Sequence, residues 1–367
     1  MKKLLLLSLT ALLWCAASAQ KIDFNKEIKK LDEYYAKALL DWNVPGMAIA
    51  IVKDGETIFA KGYGVKDVNT KQPVTPNSLF AVASNTKAFT AAALGMLVEE
   101  GKISWDDKVQ KYLPWFQLYD PYVSANLTIR DLLCHRSGLE TFSGDLIWYG
   151  STHSREEVLR RARFLEPKYG FREHFGYQNI LFLAAGEIIP VVTGMPWEKF
   201  VEERILMPAQ MKSAVLSVSQ LNANMDVALP HNEKNGSNHT IDWVNWDNIA
   251  PAGSLLASAN DMAQWLKLQL GKGKIGSDTL WTEKTAWEMW TVNTPEGISS
   301  WKRKKRPSMT FNGYGLGWEL SNLHGKLVVS HGGGYDGMIS RSIMVPEEGW
   351  GIMIMTNNVS SLSYALG

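Results

Sequence analysis

The chain has 367 residues, with 38 Lys and Arg against 37 Asp and Glu, a formal net charge of +1. A surface that tracks nucleic-acid phosphates needs clustered surplus cation, so this near balance argues against nucleic acid as a partner. With 46% hydrophobic residues, 20% charged residues and two cysteines, the composition is globular and excludes both disorder and a disulfide-dense scaffold.

Lys2 and Lys3 precede an apolar stretch over residues 4–13 that is too short to span a bilayer, and Ala17-Ser18-Ala19 offers small residues for a signal peptidase. Cleavage after Ala19 is expected, with export to the periplasm or medium. Cys15 sits where a lipoprotein cysteine would, but bulky Trp14 before it disfavours lipidation. Cys134 is then the remaining cysteine, so no internal disulfide is expected. In the run Leu132-Leu133-Cys134 it reads as a small buried residue rather than a nucleophile. No later apolar stretch approaches membrane-spanning length.

Residues 47–52 and 57–63 read as strands joined at Asp54-Gly55, a hairpin. After a loop punctuated by Pro73 and Pro76, a helical pattern starts near Ser84 and runs through Ala91, Ala92, Leu94, Leu97 and Val98, with Gly101 as its stop. Residues 103–270 show mostly helical periodicity broken by loops, including 180–189 and 197–205. Ser258-Ala259-Asn260-Asp261 ahead of Met262 and Trp265 has the form of a capping box. Residues 327–330, 338–345 and 350–355 return to strand patterns, with Pro346-Glu347-Glu348-Gly349 turning the last pair. Strands at both ends with helices between predict an α+β unit whose one sheet is completed by both ends of the chain. The expected organisation is a single bilobal domain over 20–367, with a sheet lobe at about 20–80 and 310–367 and a helical lobe at about 84–290. Residues 360–367 begin a closing helix, and the chain is expected to continue past Gly367.

The seven histidines include no pair within five positions, so no compact zinc pattern exists, and neither a metal nor a cofactor is expected. G-x-S-x-G and a G-x-G-x-x-G fingerprint after a strand are both absent. S-x-x-K occurs at Ser18, Ser84 and Ser299. Only Ser84-Asn85-Thr86-Lys87 opens a helix, where positions i and i+3 share a face and the Lys87 amine can reach the Ser84 hydroxyl. A helix N-terminus also favours a developing oxyanion. The competing reading of this motif alone is Ser84 as a helix N-cap and Lys87 as surface charge.

Tyr177-Gln178-Asn179 places a phenol and an amide before an apolar helix, and His331-Gly332-Gly333-Gly334 ends an apolar strand where glycines allow close backbone approach. S-x-x-K, Y-x-N and H-G-G in this order resemble the serine hydrolase family of class C β-lactamases and D-alanyl-D-alanine peptidases, which includes D-aminopeptidases and some esterases. The resemblance covers nearly the whole mature chain, because residues 132–139 and Pro251-Ala252-Gly253-Ser254 also look like family landmarks. It implies a β-lactamase/transpeptidase-like fold. It also implies Ser84 as acyl-enzyme nucleophile, Lys87 as its proton partner, and Tyr177 as general base and acid with a pKa lowered by a neighbouring cation. Asn179 would bind the substrate amide, and the N–H groups of Ser84 and Gly334 would form the oxyanion hole. Class C β-lactamases carry Lys-Thr-Gly where this chain has His331-Gly332-Gly333. A mostly uncharged imidazole weakens support for an ionised tyrosine and a substrate carboxylate, and Gln178 replaces a usually small residue, so slow β-lactam turnover is expected.

The expected function is therefore an exported serine hydrolase of D-amino-acid-containing peptides or amides, with a small molecule or peptide as substrate. The alternatives are a carboxylic ester hydrolase and a non-catalytic penicillin- or peptidoglycan-binding sensor. The run over residues 302–306 reads as a solvated basic loop, or as a surface drawn to anionic polymer or lipid. Most of the 15 tryptophans read as core, and His135 as a loop-fixing residue. Arg341 faces either a substrate carboxylate or a nearby acid.

Overall fold

The computed structural model describes residues 24–367; the leader assigned to residues 1–19, with Cys15, lies outside them. An eight-stranded sheet is built from β1 (Gly46–Lys53), β2 (Glu56–Gly64), β3 (Thr294–Pro295), β4 (Asn312–Tyr314), β5 (Glu319–Leu323), β6 (Lys326–Tyr335), β7 (Met338–Val345) and β8 (Trp350–Thr356). Its order is β2-β1-β8-β7-β6-β5-β4-β3, and every neighbouring pair is antiparallel. The first hairpin forms as its sequence predicts. Asp54 and Gly55 both take positive φ, 50° and 81°, as a two-residue turn that follows the twist of its strands requires.

β1 is buried on both faces, and its period-two alternation divides two cores. Met47, Ile49 and Ile51 pack with Tyr35 and Leu39 of α1 (Phe24–Asp41). Ala48, Ala50 and Val52 join the main core, where the small alanines face α4 (Ala259–Leu270). The predicted capping box at α4 is formed: Ser258 and Asp261 cap each other's backbone N–H groups. At the centre, α2 (Thr86–Glu99) is buried almost all round, as expected of a helix apolar on every side. Its Phe89 stacks on Trp265 of α4 with ring centroids 3.7 Å apart. α3 (Asn179–Thr193) is equally apolar and ends at Gly194 in the left-handed region.

Four features depart from the sequence expectation. The helix expected from Ser84 opens instead with a 3-10 turn over Ala83–Asn85. β6 does not end at residue 330 but runs through His331 and the three glycines to Tyr335. The basic run lies on an exposed helix, Ser300–Lys305, capped by Ser299, rather than in a loop. Sheet residues begin at Thr294, ahead of the expected 310, and a small hairpin, His231–Lys234 with Ser237–Thr240, interrupts the helical stretch over residues 103–270.

The glycines of β6 matter because that strand lies against the segment leading into α2. A Cβ on Gly333 would stand 2.2 Å from the Val82 carbonyl oxygen and 2.4 Å from Ser340 Oγ, whereas one on Gly334 would meet only Ile339 Cδ1 at 3.7 Å. Gly333→Ala is therefore expected to cost about 1–3 kcal/mol of stability by overpacking. Gly334→Ala should stay within about 0.5 kcal/mol of wild type. Urea denaturation of the two variants side by side checks this, and equal midpoints would contradict the close approach.

Candidate active site

Ala83, fully buried, adopts φ 48°, a left-handed conformation that costs an alanine about 1 kcal/mol. It is held by the two middle residues of the S-N-T-K motif. Asn85 Nδ2 donates to Ser340 Oγ at 2.8 Å while its Oδ1 accepts from Ser342 Oγ at 2.6 Å, tying the turn to β7. Thr86 Oγ1 donates to the Ala83 carbonyl at 2.6 Å and accepts from Leu255 N at 3.2 Å. Neither the 3-10 turn nor α2 has a side-chain N-cap. The N-cap reading of Ser84 is thus overturned, and its hydroxyl lines a cleft instead.

Lys87 is no surface charge either. Its side chain is completely buried, and Nζ donates to Ser84 Oγ at 3.0 Å, Asn179 Oδ1 at 2.7 Å and the Ala252 carbonyl at 2.8 Å. One turn further along α2, Thr90 Oγ1 donates to the Pro251 carbonyl at 2.7 Å. The Pro-Ala-Gly-Ser landmark thus supplies carbonyls for one face of α2, from a one-turn helix over Ala250–Gly253 whose last carbonyls have no intrahelical donor. Burial lowers the Lys87 pKa to about 7, against the opposing pull of the Asp145 charge.

Tyr177 and Asn179 enter from the start of α3. Their approach is fixed by the loop at His135, which takes φ 60°. His135 Nδ1 accepts from Gln178 N at 3.0 Å, and its ring lies 4.2 Å from that of Tyr177. This is the loop-fixing role expected of it. The Gln178 amide donates to the Glu140 carbonyl, and Gln178 is not among the cleft-lining residues, so it does not obstruct the site. The lowered pKa expected for Tyr177 is contradicted. Burial pushes the phenol up, outweighing the hydrogen bond with Ser84, although Lys87 Nζ sits only 4.8 Å from the ring. The Lys87 amine, its own pKa lowered, does not offset the desolvation of the phenol.

His331, also buried, spends both ring nitrogens on the protein: Nδ1 lies 2.6 Å from the Gly332 carbonyl and Nε2 2.6 Å from the Tyr314 hydroxyl. The carbonyl only accepts, so Nδ1 carries the proton and Nε2 accepts from Tyr314. Burial lowers the His331 pKa to about 4, more than the sequence expectation of an ordinary imidazole. Arg341 resolves toward the nearby acid, with Nη1 2.7 Å from Glu319 and Nη2 3.0 Å from Ser330 Oγ. Of the three glycines, Gly332 and Gly334 line the cleft, Gly332 beside Tyr364, while Gly333 packs against Val82.

Ser84, Tyr177, Asn179, His331, Gly332 and Gly334 therefore converge on one cleft of about 430 Å³, with Lys87 directly beneath and Gly333 behind. Its apolar wall is formed by Phe142, Leu146, Trp148 and Trp246. A larger groove, about 740 Å³, lies between the β1–β2 turn and residues 264–278 and contains none of these motif residues. The acids Asp145 and Glu319, which also line the cleft, escaped sequence analysis. Neither belongs to a motif, and only the Gly144-Asp145 turn before an apolar tetrad hints that this acid opens a helix.

A Staphylococcus aureus (strain MW2) protein named flp is 27% identical over 345 residues, covering 91% of this chain and 64% of that protein. The Unguisins hydrolase ungD' of Aspergillus campestris is 29% identical over 357 residues, covering 91% and 63%. The chain thus spans a little under two thirds of the length of these curated relatives. Among solved structures, the octameric penicillin-binding protein homologue from Pyrococcus abyssi superposes with a TM-score of 0.76 at 26% identity, covering 90% of this chain and 74% of that one. A D-stereospecific amidohydrolase from Streptomyces sp., 24% identical with a TM-score of 0.71 and coverages of 91% and 96%, shares the fold. The Beta-lactamase family model matches residues 25–366, and the chain belongs to that family.

Proposed function

We propose that the chain is an exported serine hydrolase that forms an acyl-enzyme on Ser84, with D-amino-acid-containing peptides or related amides as its leading substrates. The observation that carries this is the set of three partners around Lys87 Nζ. Asn179 Oδ1 and the Ala252 carbonyl can only accept, so a neutral amine must give both of its N–H bonds to them. Its lone pair is left for Ser84 Oγ, the one partner that can also donate. With a pKa of about 7, Lys87 supplies this lone pair at neutral pH and is the base of the free enzyme, the part the family resemblance assigns to Tyr177.

Attack then transfers the Ser84 proton to Lys87 as Oγ bonds to the substrate carbonyl carbon, and negative charge moves to the carbonyl oxygen. The N–H groups of Ser84 and Gly334 receive that charge. Tyr177, kept protonated by burial, gives its proton to the leaving nitrogen as the C–N bond breaks and recovers one from the Lys87 ammonium. Water repeats the sequence on the acyl-enzyme. A carboxylic ester reacts by the same steps and demands less of Tyr177, because an alkoxide is a better leaving group than an amide anion.

Cleft electrostatics support neutral or cationic substrates over those with a carboxylate beside the scissile bond. His331 is uncharged at neutral pH, Arg341 is held by Glu319, and the acidic side chains lining the cleft are Asp145 and Glu319.

A fluorophosphonate probe read by intact mass should give one adduct, absent in Ser84→Ala, and turnover of a short acyl ester should fall by on the order of 10³–10⁶ in that variant. A folded wild-type protein that takes no label would point to the non-catalytic sensor instead. The kcat/KM of wild type should rise through an acid limb near pH 7 and then level, since only neutral Lys87 can accept the Ser84 proton. A flat profile between pH 5.5 and 8.5 would exclude Lys87 as that base. Cephalosporins, whose carboxylate finds no free cation, should be hydrolysed roughly a hundredfold less efficiently than the ester, the worth of a charge-assisted contact of about 3 kcal/mol.

A further inference from the structure

Asp145 follows Gly144, whose φ of 88° turns the chain into a single helical turn, Asp145–Trp148. A Cβ on Gly144 would stand 2.6 Å from both Ile180 Cδ1 and Leu165 Cδ1, so the turn is pressed against the start of α3. This delivers the carboxylate to two donors. Oδ2 accepts from Asn179 Nδ2 at 2.9 Å, and Oδ1 accepts from the Trp148 indole at 3.0 Å. Trp148 is itself buried, edge-on to Trp246.

A side-chain amide can present either end to a neighbour unless its partners discriminate. Here they do. A carboxylate only accepts, so Asn179 must turn its NH₂ toward Asp145, which leaves Oδ1 facing Lys87 at 2.7 Å. Turned over, Asn179 would set oxygen against carboxylate and NH₂ against the amine's N–H groups. The series runs from the Trp148 indole to Asp145, from Asp145 to Asn179, and from Asn179 to Lys87.

We propose that Asp145 is a positioning residue for acylation: by accepting the Asn179 amide it fixes which end of that amide meets Lys87, and so aims the Lys87 lone pair at Ser84. This rests on Ser84 and Lys87 acting as nucleophile and base. Asp145 also acts on Lys87 through its charge. The other titratable groups around the amine are Tyr177, His135 and His331, and burial holds all three neutral near pH 7. Asp145 is the carboxylate whose charge favours the Lys87 ammonium. Removing that charge makes the amine easier to discharge, and the acid limb of the rate profile moves to lower pH.

Asp145→Asn tests this by fluorophosphonate labelling and by kcat/KM for a short acyl ester across pH 5–9, with rates expressed per folded molecule from circular dichroism. The expected result is a plateau roughly 10- to 100-fold lower and an acid limb displaced downward by about one pH unit. On an Asn179→Ala background, Asp145→Asn should lower the plateau no further. A plateau within twofold of wild type with an unmoved limb overturns the proposal. So does an equal loss on the Asn179→Ala background, or a loss accounted for by unfolding alone. Should Asp145→Asn not fold, Asp145→Ser, smaller and neutral, carries the same test. Absent labelling of wild-type protein would instead defeat the hydrolase assignment, which separates the two failures.

Discussion

The architecture of the cleft depends on one buried amine. A lysine nitrogen withdrawn from water is costly to keep charged, and this one is supported by three acceptors drawn from three parts of the chain: the turn before α2, the first residue of α3 and the Ala250–Gly253 helix. Displacing Asn179 Oδ1 or the Ala252 carbonyl would leave an N–H bond of Lys87 unpaired in a buried place. The amine therefore holds together the elements that surround Ser84, and those elements in turn set its basicity. The neighbouring residues of the motif serve the same end. Asn85 fastens the turn to β7 and Thr86 fastens it to Leu255, so the strained backbone at Ala83 is stabilised from both sides.

On the opposite wall, β6 contributes by shape rather than charge. Its residue at the third motif is an imidazole whose two nitrogens are satisfied by Gly332 and Tyr314, which makes it part of the strand's framework. Gly333 lets the strand lie against Val82, and Gly334 leaves room in the cleft. A lysine at position 331 would present a cation to the substrate. The histidine presents a neutral edge, and the cationic function that Arg341 could have supplied is consumed by Glu319.

Much of this was legible in the sequence, because some signals are local. A two-residue Asp-Gly turn, a Ser-x-x-Asp capping box and an i, i+3 pairing of Ser84 with Lys87 each specify their geometry within a few residues. The three motifs could be recognised in order, and the cleft does bring them together. What could not be read was set by residues distant in the chain. Desolvation moves the Lys87 amine down and the Tyr177 phenol up, and no motif encodes either shift. Arg341 needed the position of Glu319, two strands away across β6, before its partner was known. Gln178 stood out as larger than usual, and its bond to the Glu140 carbonyl depends on a loop 38 residues earlier in the chain. The three glycines looked like one feature, yet only packing against Val82 and Tyr364 separates their roles.

Two opposed influences act on the amine, and neither alone would suit it to the proposed acyl transfer at neutral pH. Burial by itself drives Lys87 toward a permanently neutral amine, a weak base with little affinity for the Ser84 proton. A close anion by itself would hold it as ammonium, with no lone pair to offer. Asp145 is placed between these extremes: Asn179 keeps its carboxylate one side chain removed from Nζ, while Trp148 binds its other oxygen. At that remove the charge moderates the effect of burial without cancelling it, and the amine titrates where the reaction needs it to change state. The same amide that transmits this influence also sets the direction of the lone pair, so basicity and aim are governed together by the contact between Asp145 and Asn179.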